Sequence, residues 1–149
     1  MYQCSEERMK DKITTMSAYG DAGHGGITRY SLSQAAISAR NEFIRRMQNI
    51  GCEIKTDDVA NVYATLKGSD SSLPGIVMAS HCDSVKNGGN YDGILGVMSA
   101  MEVLETIASE NIPHKHDLDE RGRLLIPAGY DVFRYCLQRL PSGGHWQEF

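Results

Sequence analysis

The fold of this 149-residue chain is decided by a short apolar run that ends in polar and reactive side chains, Pro74-Gly75-Ile76-Val77-Met78-Ala79-Ser80-His81-Cys82-Asp83. An almost unbroken apolar run behind a proline is typical of a β-strand that is buried on both faces. His81 leaves at the carboxyl end of that strand, which in an open α/β sheet faces the crevice where ligands bind. The stretch therefore predicts an α/β fold with a site at His81.

A glycine-rich turn comes next and leads into a helix, Gly88-Gly89-Asn90-Tyr91-Asp92-Gly93. The helix is predicted by an apolar stripe, Ile94, Val97, Met98, Met101, Leu104 and Ala108. Because glycines allow a tight turn, Asp92 can return toward His81. A divalent transition metal takes imidazole nitrogen and carboxylate oxygen, and it needs at least three protein ligands. His81 and Asp92 are two candidate ligands, and Asp83 is placed to orient the imidazole.

The same residues also have a purely structural interpretation. His81 would then be a hydrogen-bonded loop histidine, and Asp92 would be the N-cap of the following helix. The glycines alone do not indicate a nucleotide site, because neither Gly-Lys-Ser/Thr nor Gly-x-Gly-x-x-Gly occurs here. Spacing alone leaves the structural and the metal-binding interpretations open.

Four stretches in order along the chain resemble one enzyme family: Gly25-Gly26-Ile27-Thr28-Arg29, Ala39-Arg40, Asp58-Val59-Ala60-Asn61, and residues 81–97. The family comprises the dinuclear-metal amidohydrolases that cleave N-carbamoyl-L-amino acids and allantoate, within the aminoacylase and carboxypeptidase-like metallopeptidase superfamily. The resemblance covers residues 20–118. It implies a three-layer αβα fold with a mixed sheet, of which this chain would be a truncated amino-terminal part.

The resemblance also implies roles for the three candidate residues. His81 would be a terminal ligand of one metal, Asp92 would bridge two metals, and Asp83 would be the catalytic-site aspartate that steadies the histidine. The implied cofactors are two divalent metal ions, zinc or else manganese or cobalt. The implied substrate is a small ureido or N-carbamoyl compound, and full-length relatives are expected to be homodimers.

Other parts of such a site are missing from the sequence. The resemblance implies a Glu-Glu pair roughly 35 residues after Asp92, to supply a general base and a ligand, but that register holds Ile126-Pro127-Ala128. Asp119-Glu120 comes too early and is predicted to be a solvated turn. The histidines of His114-Lys115-His116-Asp117 are predicted to be exposed, and His145 lies too near the end to match a downstream ligand.

The chain accordingly divides into residues 1–118, an amino-terminal part of the catalytic domain, and residues 119–149, a divergent tail. Within the tail, Leu124-Leu125-Ile126 could form a strand. Read one base downstream, the degenerate codons for residues 121–125 permit Val-Val-Val-Phe, and those for residues 134–140 permit Gly-Thr-Val-Phe-Ser-Gly. Both strings resemble the family, so a frameshifted tail is one hypothesis.

Three functions remain open on the sequence. The first is a metal-dependent amidohydrolase that cleaves a linear amide or ureido C–N bond, here an incomplete chain that we expect to be inactive alone. The second is a catalytically inactive remnant, and the third is a small binding domain that uses the glycine-rich turn without metal.

Composition favours a soluble cytoplasmic protein. The net charge of −4 and the isoelectric point near 5.7 provide no basic field for nucleic acid or an anionic membrane. Four cysteines lack C-x-x-C spacing, which favours reduced thiols: Cys4, Cys52, Cys82 and Cys136. The polar amino terminus predicts no ordinary signal peptide, and no apolar run approaches the length of a membrane span.

Periodicity predicts the remaining elements. Ser33 can cap a helix that ends at Gly51 and whose apolar face is Ala36, Phe43, Ile44, Met47 and Ile50. Residues 52–55 and 61–66 alternate like strands around a turn at Asp57-Asp58. The stretch Gly25-Gly26-Ile27-Thr28-Arg29 is predicted to be a turn with an exposed arginine near the mouth of the site.

Overall fold

The computed structural model describes residues 2–123 and 139–140. These residues form three helices and five strands: α1 (Glu6–Ala18), α2 (Gln34–Asn49), β1 (Glu53–Thr56), β2 (Val62–Leu66), β3 (Gly75–His81), α3 (Ile94–Ser109), β4 (Leu118–Arg123) and β5 (Arg139–Leu140). The predictions on residues 124–126 and 126–128, on Cys136 and on His145 lie outside the described residues.

The strands form one mixed sheet in the order β1-β2-β4-β3-β5. β4 lies in its interior, antiparallel to β2 and parallel to β3, while the β1–β2 and β3–β5 pairs are antiparallel. The register places Leu118 opposite Leu66 and Ile76. The parallel pair is joined through α3, as in a βαβ unit. The α/β class and the mixed sheet are therefore confirmed.

The α2 region follows its sequence signals closely. The Ser33 hydroxyl accepts a hydrogen bond from the amide of Ala36 at 3.2 Å, and the helix stops before Gly51, whose φ is +87°. Asp57 closes the turn between β1 and β2, because its carboxylate accepts hydrogen bonds from the backbone amides of Val59 and Asn61. The predicted cap, stop and turn are confirmed, and each strand begins one residue later than predicted.

α3 begins one residue later than an Asp92 cap would require. Its N-cap is Gly93, with φ +68° and ψ −55°, and no side chain caps the helix. The interpretation of Asp92 as an N-cap is therefore wrong. Five residues of the predicted stripe are buried, namely Ile94, Val97, Met98, Met101 and Leu104.

One hydrophobic core joins the three helices to the sheet. Its members include Met16 of α1, Phe43 and Met47 of α2, Val62 and Ala64 of β2, Met98 and Leu104 of α3, and Leu118 of β4. Burying such side chains stabilises a fold by about 1.5–3 kcal/mol each. The β3 strand lies at the margin of this core, since Val77 is buried and the other six residues are half-buried.

Two predictions about polar stretches are corrected. Asp119-Glu120 is not a solvated turn but part of β4, and Glu120 is only 1% exposed because its side chain lies on the sheet face that carries Ala64. His114 and His116 are half-buried rather than exposed, and their Nδ1 atoms lie 3.1 and 2.7 Å from the carbonyl oxygens of Ile112 and Pro74.

Within residues 2–123 and 139–140, no helix has the length and apolar character that a membrane span requires.

Candidate metal centre

His81 is the last residue of β3, and its side chain is 19% exposed. The Nδ1 atom lies 3.0 Å from the backbone oxygen of Asp83 and 3.3 Å from Asp83 Oδ1. Because both neighbours are acceptors, Nδ1 carries the proton of the neutral ring. The Nε2 lone pair then faces away from Asp83, which is the arrangement that a metal-ligating histidine needs.

Asp92 faces the other ring nitrogen. Its Oδ1 lies 3.9 Å from His81 Nε2, and its side chain is 57% exposed. The predicted convergence of the two side chains is thus found in the structure. Gly93 makes it possible, because a Cβ at this position would overlap the imidazole ring of His81. The positive φ of Gly93 is also a conformation that glycine adopts without a steric penalty.

The end of β3 and the start of α3 are held together by a second contact. Ser80 Oγ donates a hydrogen bond to the carbonyl of Gly93 at 2.7 Å. A Cβ at Gly96 would lie 2.6 Å from Ser80 Oγ, so the first turn of α3 approaches the strand closely. These contacts fix the distance between His81 and Asp92.

Asp83 is buried, with 8% of its surface exposed. Its Oδ2 accepts a hydrogen bond of 2.8 Å from the hydroxyl of Ser31. Ser31 lies 52 residues away in sequence, and the sequence analysis did not identify it. A serine in a polar loop carries no signal of its own, so only the folded structure reveals this partner.

The electrostatics of His81 reflect the two aspartates. Burial lowers the pKa of His81, but the hydrogen bonds to Asp83 and the charges of Asp83 and Asp92 outweigh it, so the pKa is raised overall. Cys82 points into the core, and burial raises the pKa of its thiol to about 12. It therefore remains a protonated core residue rather than a nucleophile or a ligand.

Arg29 is the largest departure from the sequence analysis at this site. It is 2% exposed rather than exposed in a turn. Its guanidinium donates to the carbonyl oxygen of Cys82 at 2.6 Å and to those of Met16 and Tyr19 at 2.7 and 2.8 Å. The hydrogen-bond partners of Arg29 lie 10, 13 and 53 residues away in sequence, and the motif itself gives no sign of them.

The geometry fits a shared metal ion. Two atoms that each lie about 2.0–2.2 Å from one ion are at most about 4.4 Å apart, and His81 Nε2 and Asp92 Oδ1 are separated by 3.9 Å. Among the residues that the structure describes, no group of three His, Cys, Asp or Glu side chains is placed to hold a metal. The structure therefore brings the three candidate residues His81, Asp83 and Asp92 together, without a further candidate ligand among the described residues.

The pair lies at the carboxyl end of a strand of the mixed sheet, the edge at which open α/β sheets bind ligands. The chain is 30% identical over 115 residues to an N-carbamoyl-L-amino-acid amidohydrolase from Pseudomonas sp. (strain NS671), covering 77% of this chain and 28% of that protein. It is 38% identical over 97 residues to an allantoate amidohydrolase from Bacillus subtilis (strain 168), covering 65% of this chain and 24% of that protein.

A solved structure supports the same relationship. The crystal structure of a hydantoinase/carbamoylase family amidase from Burkholderia multivorans matches with a TM-score of 0.79 and 26% identity, over 81% of this chain and 29% of that chain. No family model matches the sequence. The predicted resemblance is confirmed: the chain is similar to N-carbamoyl-L-amino-acid and allantoate amidohydrolases and to a hydantoinase/carbamoylase family amidase, and it spans less than a third of the length of these matches.

Proposed function

We propose that this chain carries part of the dinuclear metal centre of an amidohydrolase that cleaves linear amide or ureido C–N bonds. His81 would be a terminal ligand of one ion, Asp92 would be the carboxylate shared by both ions, and Asp83 would orient the imidazole. The substrate class is that of N-carbamoyl-L-amino acids or allantoate-like compounds, as the names of the matched relatives suggest. The proposal is supported above all by the 3.9 Å separation of His81 Nε2 and Asp92 Oδ1.

Three features of the chain itself suit this role. Asp83 accepts the Nδ1 hydrogen of His81. This contact leaves the Nε2 atom of His81 available as a ligand and raises the basicity of Nε2. Ser31 holds the other oxygen of Asp83 in place. Asp92 is more than half exposed, so its carboxylate is accessible from the crevice. When bound, zinc, manganese or cobalt ions would polarise the substrate carbonyl and lower the pKa of a water molecule.

The chain alone is expected to lack turnover. The described residues provide no third ligand group, and the aligned segment covers only 28% and 24% of the two matched relatives. This observation also favours the second candidate function, a catalytically inactive remnant that retains a metal half-site. Assays with N-carbamoyl-L-amino acids and allantoate should show no product with this chain, in the presence of metal, under conditions where a full-length relative is active.

Metal binding tests the site directly. Isothermal titration with Zn²⁺, Mn²⁺ and Co²⁺ should show weak binding to the chain, because the described residues provide two ligands where a firmly held ion has at least three. The affinity should fall by at least about tenfold in His81→Ala and Asp92→Asn. His114→Ala is the matched control, because His114 is half-buried in the connection that precedes β4, at the opposite end of β3 from His81. Absence of binding to the parent chain, or equal binding to His81→Ala, would contradict the proposed site.

A cytoplasmic location and a homodimeric full-length form are also part of the proposal. The location is supported by the free thiols of Cys4, Cys52 and Cys82, which suit a reducing compartment. Fractionation of cells that express the tagged chain tests the location, and sedimentation of the full-length relative tests the dimer.

A further inference from the structure

Arg29 is a buried cation directly beneath the candidate metal centre. Burial lowers its pKa, and the nearby Cys82 and Asp83 oppose that effect. A guanidinium keeps its charge in proteins, so burying it is unfavourable unless its donors are satisfied. Here three of its five N–H donors, one on Nε and two on Nη1, bond to backbone carbonyls.

Two of these carbonyls belong to the carboxyl-terminal end of α1. The last carbonyls of a helix lack partners within the helix and carry a partial negative charge. Arg29 Nη1 donates to Met16 in the last turn and to the C-cap residue Tyr19. Arg29 therefore caps α1 and is itself held by that helix.

The third carbonyl lies inside the site. Cys82 stands between His81 and Asp83, and its carbonyl oxygen accepts from Arg29 Nε at 2.6 Å. Fixing this carbonyl fixes the plane of the peptide that joins Cys82 to Asp83.

The backbone of Arg29 holds the other side of Asp83. The amide of Ser84 donates to the Arg29 carbonyl at 2.9 Å, and the Arg29 amide donates to Ser84 Oγ at 3.1 Å. Asp83 is thus bracketed by two residues that Arg29 holds.

We propose that Arg29 is a positioning residue of the candidate metal centre, which acts through Cys82 and Ser84 to hold Asp83 against Nδ1 of His81. Asp83 in turn keeps His81 in the Nδ1-protonated form, with Nε2 facing Asp92. The value of this tautomer for metal binding rests on the proposed function. Lysine cannot replace Arg29, because a single ammonium on a flexible stem lacks the planar donor fork that reaches three carbonyls.

The test measures the imidazole tautomer in the metal-free chain. We would record ¹⁵N spectra of the histidine side chains at a pH where every imidazole is neutral, and assign His81 by its loss in His81→Ala. In the parent chain, His81 should be mainly Nδ1-protonated. In Arg29→Lys and Arg29→Met, the ratio of Nδ1-H to Nε2-H tautomer should fall by about tenfold, the effect of losing one hydrogen bond.

A matched control separates positioning from general destabilisation. Lys12→Met removes a buried cation from α1, the helix whose carbonyls Arg29 contacts, but the partners of Lys12 are Glu102 and Glu105 of α3. It should destabilise the chain and leave the His81 tautomer unchanged. An unchanged tautomer in folded Arg29→Lys and Arg29→Met, or the same change in Lys12→Met, would overturn the proposal.

A measurement on the parent chain covers the case in which the Arg29 variants do not fold. The Nε–H of Arg29 should exchange with solvent far more slowly than that of Arg45, whose side chain is 58% exposed. Equal exchange rates would also overturn the proposal. Neither the tautomer measurement nor the exchange measurement involves a metal. Failure of the chain to bind metal would therefore contradict the proposed function, whereas the role of Arg29 is decided by these two measurements alone.

Discussion

At the scale of single residues, Gly93 determines whether His81 and Asp92 can meet. Gly93→Ala would place a Cβ where the imidazole ring lies, at a φ of +68° that strains any other residue. We expect metal binding to be lost and the free energy of unfolding to fall by about 1–3 kcal/mol. Metal titration and urea denaturation measure the two effects.

Gly89→Ala is the matched control for this prediction. Gly89 lies in the same turn, but no atom lies within 4 Å of a Cβ built there and its φ is not in the positive range. It should bind metal like the parent chain. If Gly93→Ala bound metal equally well, the close approach of Gly93 to His81 would not matter for the site.

Glu120 is a second residue whose effect on stability follows from its burial. Neither carboxylate oxygen has a hydrogen-bond partner among the described residues. Burial raises the pKa of Glu120 well above 4.5, Glu105 adds to the rise, and Lys12 opposes it. Because the folded state holds its proton more tightly than the unfolded state, this group lowers stability as the pH rises above about 4.5.

Glu120→Gln should therefore stabilise the chain at neutral pH. The gain is expected to be about 1–3 kcal/mol at pH 7 and to vanish near pH 4. Urea denaturation at both pH values measures it. Asp119→Asn is the neighbouring control, since Asp119 accepts a hydrogen bond from Thr65 and should lose stability on substitution. A Glu120→Gln variant no more stable than the parent at pH 7 would show that the buried carboxyl has no such penalty.

At the scale of elements, α1 packs on α3 through a buried ionic cluster. Lys12 and Glu102 are fully buried, and Lys12 Nζ lies 2.8 Å from Glu102 Oε2 and 2.5 Å from Glu105 Oε2. Arg8 and the amide of Ser5 also donate to Glu102, at 2.7 and 2.6 Å. α1 is thus held on α3 by buried ion pairs, in addition to the packing of Met16 in the hydrophobic core.

The cluster predicts how stability depends on acid. Burial alone would raise the pKa of Glu102, but the hydrogen bonds from Arg8, Lys12 and Ser5 outweigh it and lower the pKa from 4.5 to about 2. The stabilisation is therefore complete above about pH 4.5 and is lost as the pH falls toward about 2. Glu102→Gln should lower the free energy of unfolding by about 3 kcal/mol at pH 7 and weaken the acid dependence.

Denaturation curves at pH 7 and pH 3 measure this effect. Glu6→Gln is the control, because Glu6 pairs with Lys10 on the surface with 82% of its side chain exposed, and such pairs contribute less than about 1 kcal/mol. An equal loss in the two variants would mean that the α1–α3 contact does not depend on the buried charges.

At the scale of the whole molecule, sequence reasoning succeeded where the signal was local. The cap at Ser33, the stop at Gly51 and the convergence of His81 with Asp92 all depend on residues close together in the chain. Contacts between distant segments left no pattern to recognise: Lys12 and Glu102 are 90 residues apart, and Arg29 and Cys82 are 53 apart. α1 was not predicted, because its apolar stripe has only three members, Met9, Ile13 and Met16, and the same face carries the buried Lys12.

The sheet topology bears on the origin of residues 119–149, for which we propose a frameshift. β4 is hydrogen-bonded on both sides, to β2 and to β3, and such a strand normally reads as a run of β-branched apolar residues. Its last three residues are instead Arg121-Gly122-Arg123, whereas the frame one base downstream permits Val-Val-Val-Phe.

Sequencing the locus should reveal that this downstream frame is open and that, beyond residue 120, it encodes a sequence similar to the amidase family. The chain translated in it should unfold at higher urea concentration than this one, because its interior strand would be apolar. A locus with no such frame, or a corrected chain no more stable, would contradict the frameshift and leave the Arg-Gly-Arg strand as a native feature.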